Sequence, residues 1–479
     1  MRELLAGLIG SGRDGLRNFE IIAGTLLAGA LVLVVLLLPT KMAVPVIVGL
    51  LGSLYFFTKP ATSLMLIFVA RVLVDLLWWL PISVGGLNVL EAFGGAVAAL
   101  AAVLFYVELR KVERQPGFVP LIVYLAVMGV AVVRTLSVRD AAEIMAKYVS
   151  PLLLMFLVST YMDTDTRRRR FLGLITGAGC ISLMVSCYHL ATGQRFGYFL
   201  QGYYRLMGGY SNLHNHALFL MVLATLLFFW FSVLQRPRDR ALVLALLALN
   251  GLCLYYTFVR TALTGFAVFV MLFFALERRW RLLALAALAG AVLLLFNDSL
   301  QDRFRDIVEV FDSNVDSKRT LGSGRWGIWT TSIQEYLAQP PLDILFGLGL
   351  GGQYEMTDAY QDLYRSTKKS ENLDSHNDYL TLLYQLGPIA VVSYVALQIE
   401  VIRRGLELSR WGGDRFEGRI GRFAVALCGV VFATNSLSNS FINRITIAWL
   451  FWGVVGVLFA LHRSEKEAQK LALKKALTP

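Results

Sequence analysis

Four short stretches of this sequence gather polar side chains between long apolar runs. GYYRLMGGYSNLHNH carries Arg205, Tyr210, Asn212, His214, Asn215 and His216. YYTFVRTALTG holds Arg260 with almost no loop around it, and GSGRWGIW holds Arg325. SHNDYL brings Ser375, His376, Asn377 and Asp378 to the start of another apolar run. A guanidinium stays charged and donates through a planar fork that fits phosphate oxygens. Flanked by apolar helix on both sides, Arg260 is costly to place; it is either a snorkelling interface residue or a cation facing an anionic ligand in a cavity. Two arginines, Arg205 and Arg260, delivered to one membrane face suggest a single diphosphate site. His376 is the candidate for proton chemistry. It opens a predicted helix that Ser375 or Asp374 could cap, and the helix dipole there favours the neutral ring, which can act as a general base. His214 and His216 are two residues apart and do not share a helix face, so no zinc pair is expected.

These residues need elements to hold them, and composition says which kind. The 479 residues are 57% hydrophobic and 16% charged, against about 45–50% and 25% in soluble domains. That excess excludes a large soluble enzyme, a disordered chain and a disulfide scaffold. Cys180, Cys187, Cys253 and Cys428 all lie in apolar stretches and read as small core residues. The expectation is an all-α polytopic membrane protein. Fourteen candidate spans cover 21–38, 42–57, 61–80, 84–107, 117–133, 141–160, 171–190, 213–233, 241–258, 261–276, 281–296, 377–401, 423–436 and 445–461. The first two are the weakest, which makes the range 12–14. Long apolar runs without alternation argue against a barrel. The N-terminus has no cleavable signal pattern and reads as a short interfacial segment.

Charge orients the spans. With the N-terminus cytoplasmic, the short inside segments carry 28 Lys and Arg and the short outside segments 7. This is a strong positive-inside bias, and it puts both termini in the cytoplasm. The net charge of +12 is then mainly an orientation signal rather than a sign of a nucleic-acid partner. The layout is a cytoplasmic segment 1–20, spans over 21–296, a large outward loop 297–375, spans over 376–461 and a basic tail 462–479. The loop is too long for a mere connection. Phe304, Ile307, Val308 and Phe311 predict an amphipathic helix in it, and a second runs from Arg325 to Gln339, stopped by Pro340 and Pro341. FGLGLGG (Phe346 to Gly352) lacks the Lys-Ser/Thr of a P-loop and reads as tight backbone packing or a hinge, with a phosphate cradle the weaker reading. Two i, i+4 pairs, Arg71/Asp75 and Glu143/Lys147, fall within spans. They read as structural bridges, with proton or ion relays the alternative. His189 reads as structural and His462 as a surface residue.

Four of these features, in this order, resemble the O-antigen ligase and Wzy-type polymerase superfamily of bacterial inner-membrane glycosyltransferases. They are Arg-x-x-Gly-Gly-Tyr-Ser-Asn from Arg205, the Arg260 turn, the Arg325 stretch leading to PLDILFGLGLGG, and HNDYLTLLYQLGPIA from His376. The resemblance covers about residues 200–400. It implies twelve or more spans, a large periplasmic loop, and a multi-pass protein of the bacterial inner membrane with its active site on the periplasmic side. The implied donor is a glycan on undecaprenyl pyrophosphate. The implied acceptor is lipid A–core in a ligase, or a second lipid-linked glycan in a polymerase. No metal or other cofactor is implied. Arg205 and Arg260 would bind the pyrophosphate and His376 would activate the acceptor. Arg325, Tyr210, Asn212, His214, Asn377 and Asp378 would support or bind substrate.

The residue chemistry agrees with that scheme. A lipid pyrophosphate is already a good leaving group, so catalysis needs charge stabilisation of the departing diphosphate and a base for the incoming hydroxyl. Direct displacement with inversion is expected; a covalent route would need a carboxylate, and Asp374 and Asp378 flank His376. The competing class is a transporter or flippase of an anionic lipid, with the intramembrane ion pairs as couplers. The sequence shows neither the internal repeats nor the midplane breaks common in transporters.

Overall fold

The computed structural model describes residues 49, 51–78, 83–84, 87–135, 138–194, 196–200, 203–298, 301, 325–364 and 373–477. The expected segment 1–20, the span 21–38 and the amphipathic helix over Phe304 to Phe311 lie outside these residues. Residues 1–63 form one unit and 64–479 another. In the first, residues 51–58 are helical; all that follows concerns the second, starting from the helix that enters it.

The described residues are nearly all helical. Helices α1 Pro60–Val74, α2 Val89–Val107, α3 Leu109–Val112, α4 Phe118–Arg134, α5 Val138–Tyr161 and α6 Asp165–Thr192 come first. Then follow α7 Leu213–Val233, α8 Pro237–Tyr256, α9 Arg260–Leu276 and α10 Trp280–Leu295. The loop supplies α11 Arg325–Leu337, α12 Pro341–Phe346 and α13 Gln353–Tyr364. The chain closes with α14 Asp378–Leu386, α15 Pro388–Gly412, α16 Phe416–Val430, a π-turn Val431–Asn435, α17 Ser436–Ser438 and α18 Ile445–Leu477.

Among the described residues seven helices are long and apolar enough to cross a membrane: α1 with its 3-10 extension to Leu77, α2, α5, α6, α7, α8 and α18. Three more, α4, α9 and α10, are apolar but shorter. This is consistent with a polytopic membrane protein; the bounds of α4, α7, α9 and α10 follow the expected spans within a few residues, whereas α15 and α18 run well past theirs, to Gly412 and Leu477.

Three expectations change. The fold is not purely helical: antiparallel hairpins pair β1 Ser83–Val84 with β2 Leu87–Asn88, and β3 Phe196–Leu200 with β4 Tyr203–Leu206. The expected span 377–401 is two helices. Gly387 breaks it at φ +80°, and a Cβ there would stand 2.3 Å from the Leu345 carbonyl oxygen, so only glycine fits. Pro388 then starts α15, as proline does where no N–H is needed. The short α14 packs with α11, α12 and α13 as well as with α15. Finally, His462 is buried, not superficial. Its Nε2 lies 2.7 Å from Glu407 and its ring stacks on Trp411.

Helix α18 forms the axis of the bundle, packed against α5 and α15. Its apolar side chains from Ile447 to Leu461 are almost wholly buried. Trp449 donates to Ser150 Oγ at 2.9 Å. A Cβ on Gly456 would lie 2.6 Å from the Met155 carbonyl oxygen, so glycine lets the two backbones approach closely.

Candidate functional site

The segment around His376 is held from several sides. Asn377 is the N-cap of α14, its Oδ1 accepting from Tyr379 N at 3.0 Å and Leu380 N at 3.2 Å. The cap is therefore Asn377 rather than Ser375 or Asp374. Trp329 of α11 donates through Nε1 to the Ser375 carbonyl at 2.8 Å. Thr357 of α13 donates to the Leu373 carbonyl at 2.7 Å, and the Ser375 and Thr381 hydroxyls bond at 2.7 Å. Held this way, His376 adopts φ +51°, a left-handed conformation that costs a non-glycine residue about 1 kcal/mol or more. Its N–H donates to Asp374 Oδ1 at 3.2 Å, while its ring Nδ1 is buried without a hydrogen-bond partner.

Burial pushes the His376 imidazole down to about 4, with Asp374 opposing and Arg325 and Arg444 reinforcing the shift. The ring is neutral at neutral pH, as the sequence suggests. The main cause is desolvation plus two cations rather than the helix dipole.

Four arginines gather at this end of the bundle, two of them, Arg325 and Arg444, acting on His376 itself. Arg205 lies on β4, 5% exposed, with Nε lacking a partner. Burial lowers its pKa and the Arg260 charge lowers it further. Arg260 is the first residue of α9, presented by a tight turn in which Phe258 has φ +50° and Thr257 Oγ1 accepts from Val259 N at 3.3 Å. Arg325 is the first residue of α11. Burial, Arg260 and Arg444 bring it down to about 10 against the pull of Asp374, so it remains a cation at neutral pH. Arg444 precedes α18; burial lowers it, and Asp374 and Asp378 oppose. Its Nε is also without a partner. His214 is within electrostatic reach of Arg205, Arg325, Arg444 and His376, which ties the group together. Among the described residues Asp374 and Asp378 are the carboxylates acting on this cluster, so positive charge is in surplus.

The other expected site residues divide by what they touch. His214 keeps a buried Nδ1 without a partner and sits inside the cluster. Asn212 is the N-cap of α7, accepting from His214 N at 2.8 Å and Asn215 N at 3.4 Å, so it positions rather than binds. Tyr210 is 2% exposed and packs edge-on to His216. Asp378 is fully buried and committed to the Ser436 hydroxyl at 2.7 Å and Ile442 N at 3.0 Å. It anchors the loop before α18 and is not poised as a nucleophile.

The glycine-rich stretch is packing, not a phosphate cradle. Leu348 N and Gly349 N donate to the carbonyls of Tyr384 and Gln385, and Gly351 N to Gln385 Oε1. Its donors serve the end of α14. Arg134 reaches from α4 to Asp343 and the Leu342 carbonyl, fixing α12 beside it.

Arg444, Asn443 and Asp374 were given no binding role by the sequence. Asn443 Nδ2 donates to Asp374 Oδ2 at 3.4 Å, joining the loop before α18 to the His376 loop. The available signal was that Arg444 is one of the few basic residues of the short segments expected to face outward. A cavity of about 540 Å³ opens beside Asn443 and Arg444, and both expected ion pairs line it. Arg71 Nη2 meets Asp75 Oδ1 at 3.0 Å, and Lys147 Nζ meets Glu143 Oε1 at 2.5 Å.

Residues 242–395 match the family model Wzy_C, O-antigen ligase. The stretch contains Arg260, Arg325, Asp374 and His376; Arg205 and Arg444 lie outside it. The match supports the O-antigen ligase and Wzy superfamily for this chain. No curated protein matches it.

Proposed function

We propose that this chain transfers a glycan from undecaprenyl pyrophosphate to an acceptor hydroxyl at the periplasmic face of the inner membrane. The single observation that carries this reading is the convergence of Arg205, Arg260, Arg325 and Arg444, two of them with buried unpartnered Nε groups, around a neutral His376. A surplus of buried and half-buried cations calls for a polyvalent anion, and a diphosphate meets that need. In the proposed reaction the acceptor oxygen bonds to the anomeric carbon and its proton passes to the His376 imidazole. The bond from that carbon to the diphosphate oxygen breaks, and the electron pair stays on the diphosphate, where the guanidinium groups disperse the charge. Direct displacement inverts the anomeric centre.

Diphosphate binding also prepares the base. Offsetting the charges of Arg325 and Arg444 removes part of what suppresses His376, so the ring gains proton affinity when the donor is in place. The acceptor favoured here is lipid A–core, as in a ligase. Purified protein in nanodiscs, given an undecaprenyl-pyrophosphate glycan and lipid A–core, tests the reading. Glycan on the core is the expected result. Longer lipid-linked chains would make it a polymerase with the same chemistry. Lipid movement across vesicles with no transfer would overturn the enzyme reading in favour of a transporter.

A further inference from the structure

The cavity beside Arg444 differs in charge from the arginine cluster it adjoins. Its ionisable lining balances: Arg71, Lys147 and Arg444 face Asp75, Glu91 and Glu143. Thr446 threads one of the pairs, its hydroxyl accepting from Arg71 Nε at 2.8 Å and donating to Asp75 Oδ2. Asn215, whose buried Oδ1 has no partner, and Trp78 complete the polar and aromatic wall. These residues come from the C-terminal end of α1 and the N-terminal ends of α2, α5, α7 and α18.

Such a lining selects its occupant. A diphosphate would want the cation surplus found next door, not three carboxylates. An acyl chain would take two ion pairs out of water and return no hydrogen bond to them. A polyhydroxylated ligand suits it, since each hydroxyl can donate to a carboxylate and accept from a guanidinium or ammonium group. Its C–H faces can rest on an indole. The volume of about 540 Å³ is in the range of ordinary small-ligand sites, roughly 300–1,000 Å³.

We propose that this cavity is a saccharide subsite that seats the sugar units next to the reacting carbon, with Arg71/Asp75 and Glu143/Lys147 as specificity-determining residues. The placement rests on the reading of the arginine cluster as the diphosphate site. The sugar could belong to the donor glycan or to the acceptor. Gly95 gives a clean probe of the cavity. It lines the space, and a Cβ there meets nothing within 4 Å. Gly95→Leu therefore adds bulk at the wall of the cavity from a position where a Cβ meets no neighbour.

The test titrates the full-length protein in nanodiscs with three soluble probes. These are the oligosaccharide released from the donor carrier, the delipidated core oligosaccharide, and inorganic pyrophosphate. At least one oligosaccharide is expected to bind, and Gly95→Leu and Glu143→Gln to weaken it about tenfold, which is about 1.4 kcal/mol, with pyrophosphate binding unchanged. Arg205→Gln is expected to do the reverse. Whichever oligosaccharide responds names the source of the sugar. In transfer assays Gly95→Leu should raise KM for that substrate with kcat retained. The saccharide subsite is overturned if pyrophosphate binds but neither oligosaccharide does, or if oligosaccharide binding ignores Gly95→Leu. Loss of pyrophosphate binding in the unaltered protein would instead overturn the diphosphate site.

Discussion

The two ends of the helix bundle use arginine in opposite ways. At one end Arg168 donates to the carbonyls of Met162 and Asp163 and to Ser464 Oγ. Beside it Arg167 and Arg169 pair with Asp163 and Asp165. Arg404 is held between Glu400 and Glu407, and Glu407 also takes His462. Arg419 reaches the Ser232 carbonyl. These cations are satisfied within the chain, so they orient and fasten the bundle. At the other end Arg260 lowers the proton affinity of Arg205, Arg260 and Arg444 lower that of Arg325, and Arg205 and Arg444 keep unpartnered donors. A buried donor without an acceptor costs stability, and in the proposed reaction the bound diphosphate supplies the acceptors for Arg205 and Arg444. Residue type is the same at both ends; the supply of intrachain acceptors separates scaffold from site.

This contrast can be broken experimentally, and the largest effect should come from His376→Ala. Glycan transfer is expected to fall about 10²- to 10⁴-fold, the usual worth of a general base, with membrane insertion and thermal unfolding unchanged. Transfer at the unaltered rate would remove His376 from the chemistry. Next, Arg260→Lys should lower kcat/KM by about tenfold or more although charge is kept, because the planar fork is lost. If lysine serves equally well, the site needs only a point charge.

A pH profile sharpens the comparison further. The base works only when neutral, so activity falls as pH drops through the His376 pKa. For the free protein this puts the acid limb of kcat/KM near pH 4. The limb of kcat should lie higher, because a bound diphosphate offsets the neighbouring arginines. Arg325→Gln removes one of the cations that suppress His376 and should move the kcat/KM limb upward. A limb that stays in place would mean the two groups do not interact.

At the opposite end Arg168→Gln should leave transfer intact and cost about 1.5–3 kcal/mol in unfolding free energy, as for a lost charged hydrogen bond. Loss of activity without loss of stability there would erase the distinction between the ends. The smallest expected effect is Asn377→Ala, about 1 kcal/mol for the lost cap. It should come with a modest fall in kcat as His376 is held less firmly, while Asn377→Asp should restore most of the stability.

Much of this was legible in the sequence because membranes impose simple rules. Apolar runs about twenty residues long must be helices, and the bounds of α4, α7, α9 and α10 follow from them within a few residues. Short segments between runs fixed which arginines could meet, since alternate connections fall on the same side. His376, Arg260 and Arg325, which the structure brings to one cluster, were singled out that way. The glycine-rich stretch was read as packing because its pattern lacks the residues a phosphate loop needs, and its N–H groups do serve α14.

What the sequence could not give was anything that depends on partners far along the chain. Asp378 beside a candidate catalytic histidine reads as chemistry, yet Ser436 and the Ile442 backbone claim both its oxygens. Arg444 stands in an unremarkable short loop, and only the packing of α18 brings it to Asp374 and His376. Two ion pairs on α1 and α5 are local facts of i, i+4 spacing; that they line one cavity is decided by α18 entering between them. Helical periodicity and the cost of polar groups in lipid act over a few residues and so are written in order along the chain. Which buried donors remain without acceptors is a sum over the whole fold, and only the tertiary structure performs it.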